Sequence, residues 1–228
     1  MLTNAELLAS STVANSTMNR GRGLSGVNSY ARELRLDIVA FLEARARERG
    51  QAVWYDACCG EGRALVEAGE RFARRGWTRE VQIIGADLVD LFAPNDCPHV
   101  RLMASDVVAY VPEQPVDLVT CVHGLHYLGD KLGFLERAYE RLTPGGLLLA
   151  HLDPSNVWDA EGDRPLWPRL VRGIRAAGVA ISLRSHVLSL MRGERPLNFG
   201  VTYRGATVST RPNYAGITVI DSWYHAGG

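Results

Sequence analysis

The stretch from Val53 to Leu65 constrains this 228-residue chain more than any other. Val53-Trp54-Tyr55-Asp56-Ala57 is an apolar, β-prone run, Cys58-Cys59-Gly60-Glu61-Gly62 is a tight turn, and Ala64-Leu65-Val66-Glu67-Ala68 reads as helix. Strand, glycine turn and helix in succession make a nucleotide-site geometry. Glycine lets the backbone turn sharply and lets a ligand approach with no Cβ in the way. The helix start leaves N–H groups unpaired and pointing at whatever sits there. A P-loop would need Lys-Ser or Lys-Thr after the second glycine, and Gly62 is followed by Arg63-Ala64. A dinucleotide fingerprint wants a small residue where Leu65 stands.

Further along, continuous apolar runs alternate with connectors. Strands are expected over 52–57, 81–86, 100–105, 116–122 and 147–152, with helices over about 62–75 and 130–142. Uninterrupted runs such as Val81-Gln82-Ile83-Ile84 and Leu147-Leu148-Leu149-Ala150 suit a parallel sheet buried on both faces. Asp56, Asp87 and Asp106 each close one of the first three runs. In front, residues 3–15 read as a short helix, 19–28 as a glycine-rich segment, and 29–50 as a helix with Tyr30, Leu34, Ile38, Phe41 and Leu42 on one face and Gly50 as its stop. This front segment either packs on the core or acts as a lid hinged at Gly21, Gly23 and Gly26. Behind, a helix is expected from Trp167, then strands around 186–192 and 216–225 with an irregular or extended piece between.

The length suits a single domain, here divided into a helical cap (1–50), a core (51–153) and a C-terminal helix with strands (154–228). Formal net charge is zero, which argues against a nucleic-acid partner. No apolar run approaches a membrane span, and the four cysteines form no Cys-x-x-Cys pair, so reduced thiols in a cytoplasmic monomer or homodimer are expected.

Asp56-Ala57-Cys58-Cys59-Gly60-Glu61-Gly62 resembles motif I of the class I S-adenosylmethionine (SAM)-dependent methyltransferases, Asp-x-Gly-x-Gly-x-Gly, with Cys58 at the first glycine. The segments ending at Asp87 and Asp106 resemble motifs II and III, and Val116–His123 resembles motif IV. Leu142-Thr143-Pro144-Gly145-Gly146 resembles the Leu-x-Pro-Gly-Gly that precedes the fifth strand. The resemblance covers about residues 52–153. It implies an α/β, Rossmann-like sheet of order 3-2-1-4-5-7-6 with an antiparallel strand near the C-terminus. It also implies SAM as cofactor. Asp56 and Gly60 would line its methionine part, with Cys58 approaching through its backbone. Asp87, with Leu88 beside it, would hold the ribose, and Asp106 with Val107 the adenine. The main chain at Val122 or His123 would face the cofactor's amino group, and Tyr30 or Arg35 of the cap would reach its carboxylate end.

Methyl transfer requires an acceptor atom in line with the sulfonium, in a dry pocket. A protonated acceptor also needs a base. His123 and His126, in His-Gly-Leu-His-Tyr, have the appropriate pKa range, and Tyr30 is a further candidate. The bland alternative for His126 is a turn cap that packs. His-x-x-His has no cysteine or carboxylate cluster near it in sequence, so no metal is expected. Asn198, Tyr203, Tyr214, Trp223 and Tyr224, with Trp158 and Trp167, either wall an acceptor pocket or pack in the tail. The favoured expectation is methyl transfer to a small-molecule acceptor in specialised metabolism. Its rivals are cyclisation of the aminobutyrate part of SAM with loss of methylthioadenosine, and SAM binding without catalysis.

Overall fold

A computed structural model describes residues 1–14, 21–161, 164–179, 181–184, 186–214 and 216–226. Expectations for residues 15–20, the end of the first helix and Asn19-Arg20 of the glycine-rich segment, lie outside the described residues.

The front helix is two pieces, α1 (Asn4–Leu8) and α2 (Ser11–Ala14), the first opened by a capping box between Thr3 and Glu6. The helix expected over 29–50 is also two, α3 (Tyr30–Leu34) and α4 (Ile38–Arg49). Ser29 caps α3, Arg35 ends it by taking φ 54°, and Asp37 starts α4 by accepting the Ala40 N–H. The apolar spacing runs on through the break, so periodicity alone reads one helix where caps make two. The glycine-rich loop is tied down. Gly23 accepts from the Tyr30 N–H at 3.0 Å and the Leu24 N–H donates to Glu67 at 2.8 Å.

The core begins with β1 (Ala52–Ala57), α5 (Arg63–Arg75), β2 (Val81–Asp87), β3 (Val100–Ala104) and β4 (Val116–Cys121). It continues with α6 (Lys131–Glu140) and β5 (Leu142–His151). β5 starts earlier than expected because Thr143-Pro144-Gly145-Gly146 is absorbed as a bulge, the register on β4 jumping from Leu142 to Leu147. After β6 (Val157–Asp159), β7 (Arg164–Pro165) and α7 (Trp167–Ala176) comes a hairpin of β8 (Ile181–Arg184) and β9 (Val187–Met191). β10 (Val201–Val208) and β11 (Ile220–Ala226) finish the chain.

Seven strands form one sheet in the order β3-β2-β1-β4-β5-β9-β8. Numbered within that sheet this is 3-2-1-4-5-7-6, with β9 antiparallel to β5. Alternate residues of β1 feed two cores. Val53, Tyr55 and Ala57 pack with α6 and α7, while Ala52 and Trp54 pack with α3, α4 and α5. Leu65 is accommodated because Gly85 lies beneath it, where a Cβ would stand 2.6 Å from its methyl. The tail departs from expectation. The piece between its two strands contains β10, and β11 joins a second sheet, β10-β11-β6-β7, instead of the first. No described helix is long and apolar enough to cross a membrane.

Candidate cofactor and acceptor site

The carboxyl ends of β1, β2, β3 and β4 open on a cleft of about 880 Å³, counting its mouth. The turn after β1 makes its floor. Cys58, Gly60 and Gly62 all have positive φ, at 60°, 61° and 71°. The cysteine thus adopts the left-handed angle that glycine takes without steric cost. Asp87 ties β2 to this turn by accepting the Gly60 N–H at 2.9 Å, and accepts the Val89 N–H at 3.2 Å. Asp106 accepts the Val108 N–H at 2.9 Å. Cys58, Gly60, Asp87, Leu88, Asp106 and Val107 line the cleft, with Val122 and His123 from the end of β4 and Tyr30 from the cap.

Asp56 does not line it. This carboxylate is fully buried below the turn, where it accepts from the Tyr30 hydroxyl at 2.7 Å and from the Thr120 hydroxyl, which in turn accepts from Trp54. Burial pushes its acid up to about 7, against the pull of those two donors. Tyr30 is likewise raised by burial and then by Asp56. The pair therefore braces the cap against the sheet directly under the cleft.

His123 follows β4 at φ 61°, another left-handed position held by a residue other than glycine. Its ring stacks on His151, from the end of β5, at 3.9 Å between centroids. Both rings turn Nε2 towards Glu33 of α3, at 3.6 Å from His123 and 3.4 Å from His151. Burial, then His151, lowers His123 to about 4, so this ring is neutral at pH 7. The His151 ring beside it, ahead of the opposing effect of burial, holds Glu33 down to about 2. His126 lies behind this group, fully buried and lowered by burial to about 2. Its Nε2 is 3.3 Å from the Tyr214 hydroxyl, and it is not part of the cleft wall.

Arg35 is exposed and away from the cleft, because it is the residue that ends α3. Arg22, not Arg35, is the arginine of the cap segment at the cleft. It lines the cleft with Leu7, Leu8 and Val13 of the cap, and its Nε is buried with no hydrogen-bond partner among the described residues, 3.7 Å from Glu33. Of the tail aromatics, Tyr214 reaches the histidines, stacking on His186 at 3.7 Å. Trp158 and Trp223 stack on each other in the second sheet, and Tyr224 is buried against α6. Glu33, His151 and Arg22 carry no local motif. The one signal for His151 is that it ends a parallel strand, where sites of such sheets lie.

No curated protein matches the chain by sequence. Among solved structures, the O-methyltransferase StiE (residues 961–1257) is similar at 17% identity, over 53% of this chain and 41% of that one, with a TM-score of 0.40. The plantazolicin methyltransferase BpumL, in complex with a triazolic desmethylPZN analog and SAH, is similar at 11% identity, over 49% and 43%, with a TM-score of 0.40. Magnesium protoporphyrin IX methyltransferase (ChlM) from Synechocystis PCC 6803, with bound SAM, is similar at 16% identity, over 74% and 86%, with a TM-score of 0.44. The chain spans less than half the length of the first two. A family model described as a methyltransferase domain matches residues 27–185, well over half of the chain and the whole of the main sheet's parallel part. By that match, and by a sheet of order 3-2-1-4-5-7-6 with its glycine turn after the first strand, the chain belongs to the class I S-adenosylmethionine-dependent methyltransferases.

Proposed function

We propose that this protein transfers the methyl group of SAM to a small organic acceptor that enters beside His123. The observation that carries this reading is the convergence of Gly60, Asp87 and Asp106 on one cleft whose far wall is a neutral, partly buried histidine. Asp87 is the ribose partner, since a carboxylate accepts from both hydroxyls. Asp106 and the Val107 N–H serve the adenine edge. Arg22, whose Nε has no hydrogen-bond partner among the described residues, serves the carboxylate of the methionine part. The apolar cap residues Leu7, Leu8 and Val13 exclude water from the sulfonium.

Zero net charge supports a small acceptor over a nucleic acid. In transfer, the acceptor atom forms a bond to the methyl carbon as the carbon–sulfur bond breaks. Sulfur keeps the electron pair, leaving S-adenosylhomocysteine (SAH). A neutral His123 lone pair is available to take the acceptor's proton. Incubation with SAM and a panel of small hydroxyl, amine and thiol acceptors tests the reading. SAH formed only when an acceptor is present is the expected result. Methylthioadenosine released from SAM alone, or no turnover with any acceptor, counts against it.

A further inference from the structure

Glu33, His123 and His151 come from three separate elements, the cap helix α3 and the ends of β4 and β5. Their ligating atoms lie within 4.8 Å of one another. The contacts of Glu33 with the two Nε2 atoms, 3.6 and 3.4 Å, are long for hydrogen bonds, which centre near 2.9 Å. They are the separations expected of atoms that share an ion. Ligands about 2.0–2.1 Å from a tetrahedral metal stand roughly 3.4 Å from one another. The rings, stacked at 3.9 Å with planes 14° apart, splay from that stack for both in-plane lone pairs to meet one ion.

Metal-bound histidines are oriented through their other nitrogen; His123 Nδ1 is 3.4 Å from the Tyr214 hydroxyl, while His151 Nδ1 is buried with no hydrogen-bond partner among the described residues. Arg22 approaches the second oxygen of Glu33 at 3.7 Å, leaving the first for a ligand role. His123 also lines the cleft, so an ion here would border the space in front of the cofactor turn.

We propose that Glu33, His123 and His151 bind one divalent transition-metal ion. Its open positions take a hydroxyl oxygen of the acceptor, a statement that rests on the methyl-transfer reading above. Two imidazoles and one carboxylate suit zinc, manganese, iron, cobalt or nickel, and three protein ligands leave coordination positions open. The ion makes the bound hydroxyl more acidic, so its proton passes to solvent and the His123 lone pair is spent on the metal instead of on the proton. The oxygen then forms its bond to the methyl carbon and the sulfur leaves with its electron pair. The products are a methyl ether, SAH and one proton, and the metal keeps its oxidation state.

Cobalt(II), added to the metal-stripped full-length protein without SAM, is the probe. The expected result is one equivalent bound, with visible d–d bands, and an affinity at least about tenfold weaker in both Glu33→Gln and His151→Ala. SAH affinity, measured by calorimetry in the same variants, should stay within about threefold of wild type, showing that they fold. No stoichiometric cobalt binding, or equal binding in wild type and both variants, overturns the metal site. SAH heat without cobalt binding removes the metal and leaves methyl transfer standing. Cobalt binding without SAH heat keeps the ion site and removes the cofactor reading and, with it, the acceptor's place on the ion.

Discussion

Cys58 takes a left-handed angle that costs an L-residue about 1 kcal/mol relative to glycine, and its neighbour Gly124 makes the room for it. A Cβ on Gly124 would stand 2.4 Å from the Cys58 Cβ and 2.8 Å from the Cys121 sulfur. Gly124→Ala should therefore lose roughly 1–3 kcal/mol, and Cys58→Gly in the same chain should recover most of it. Urea midpoints of the four proteins decide this. Additive effects would show that the two positions do not compete for the same space. Asp56 supplies a second prediction. Its acid is raised to about 7, so its contribution to stability is full below the ordinary carboxylate range and is lost as pH rises through 7. Asp56→Asn cannot titrate. Relative to wild type, the ligand-free variant should gain on the order of 2 kcal/mol between pH 5 and pH 8 in urea unfolding. A constant difference across that range would mean that the wild-type carboxylate is ionised throughout.

The strands with their closing aspartates were legible as elements because a buried parallel sheet writes itself as continuous apolar runs. The breaks in the front helices were not, since a left-handed Arg35 has no sequence mark of its own. Asp117 shows what an element-level motif leaves undecided. It opens β4 at the edge away from the cleft, where it accepts from Arg45 at 3.2 Å, Thr143 at 2.7 Å and the Val53 N–H at 2.9 Å. Both Arg45 and Asp117 are buried, so the pair ties α4 to the starts of β1, β4 and β5. Asp117→Ala leaves the buried guanidinium with Glu48 as its remaining carboxylate partner and should cost about 3 kcal/mol in chemical unfolding, the low end for breaking a buried pair. The affinity of the remaining folded protein for SAH should not change, because the lost contact is at the other end of the strand. A fall in affinity without a fall in stability would contradict that placement.

At the scale of the whole molecule, the cap and the sheet ends meet around one cleft, so a cofactor bound there should stabilise both together. SAM at a hundred times its Kd adds about 2.7 kcal/mol. For a chain of this size that raises Tm by roughly 5–10 °C in scanning calorimetry. No shift with saturating SAM or SAH would count against the cleft as the cofactor site. The sequence alone determined the parallel strands and the acidic and glycine positions along their carboxyl edge, because these are written locally, in apolar runs and in the residues that end them; the strand order followed from the family resemblance. Tertiary structure alone decided that Glu33, His123 and His151 share one point, that Arg22 and not Arg35 faces the cleft, and that β11 belongs to a second sheet. Those pairings join residues far apart in the chain, and no local propensity or spacing encodes which distant side chains the packing of a sheet and its cap will bring into contact.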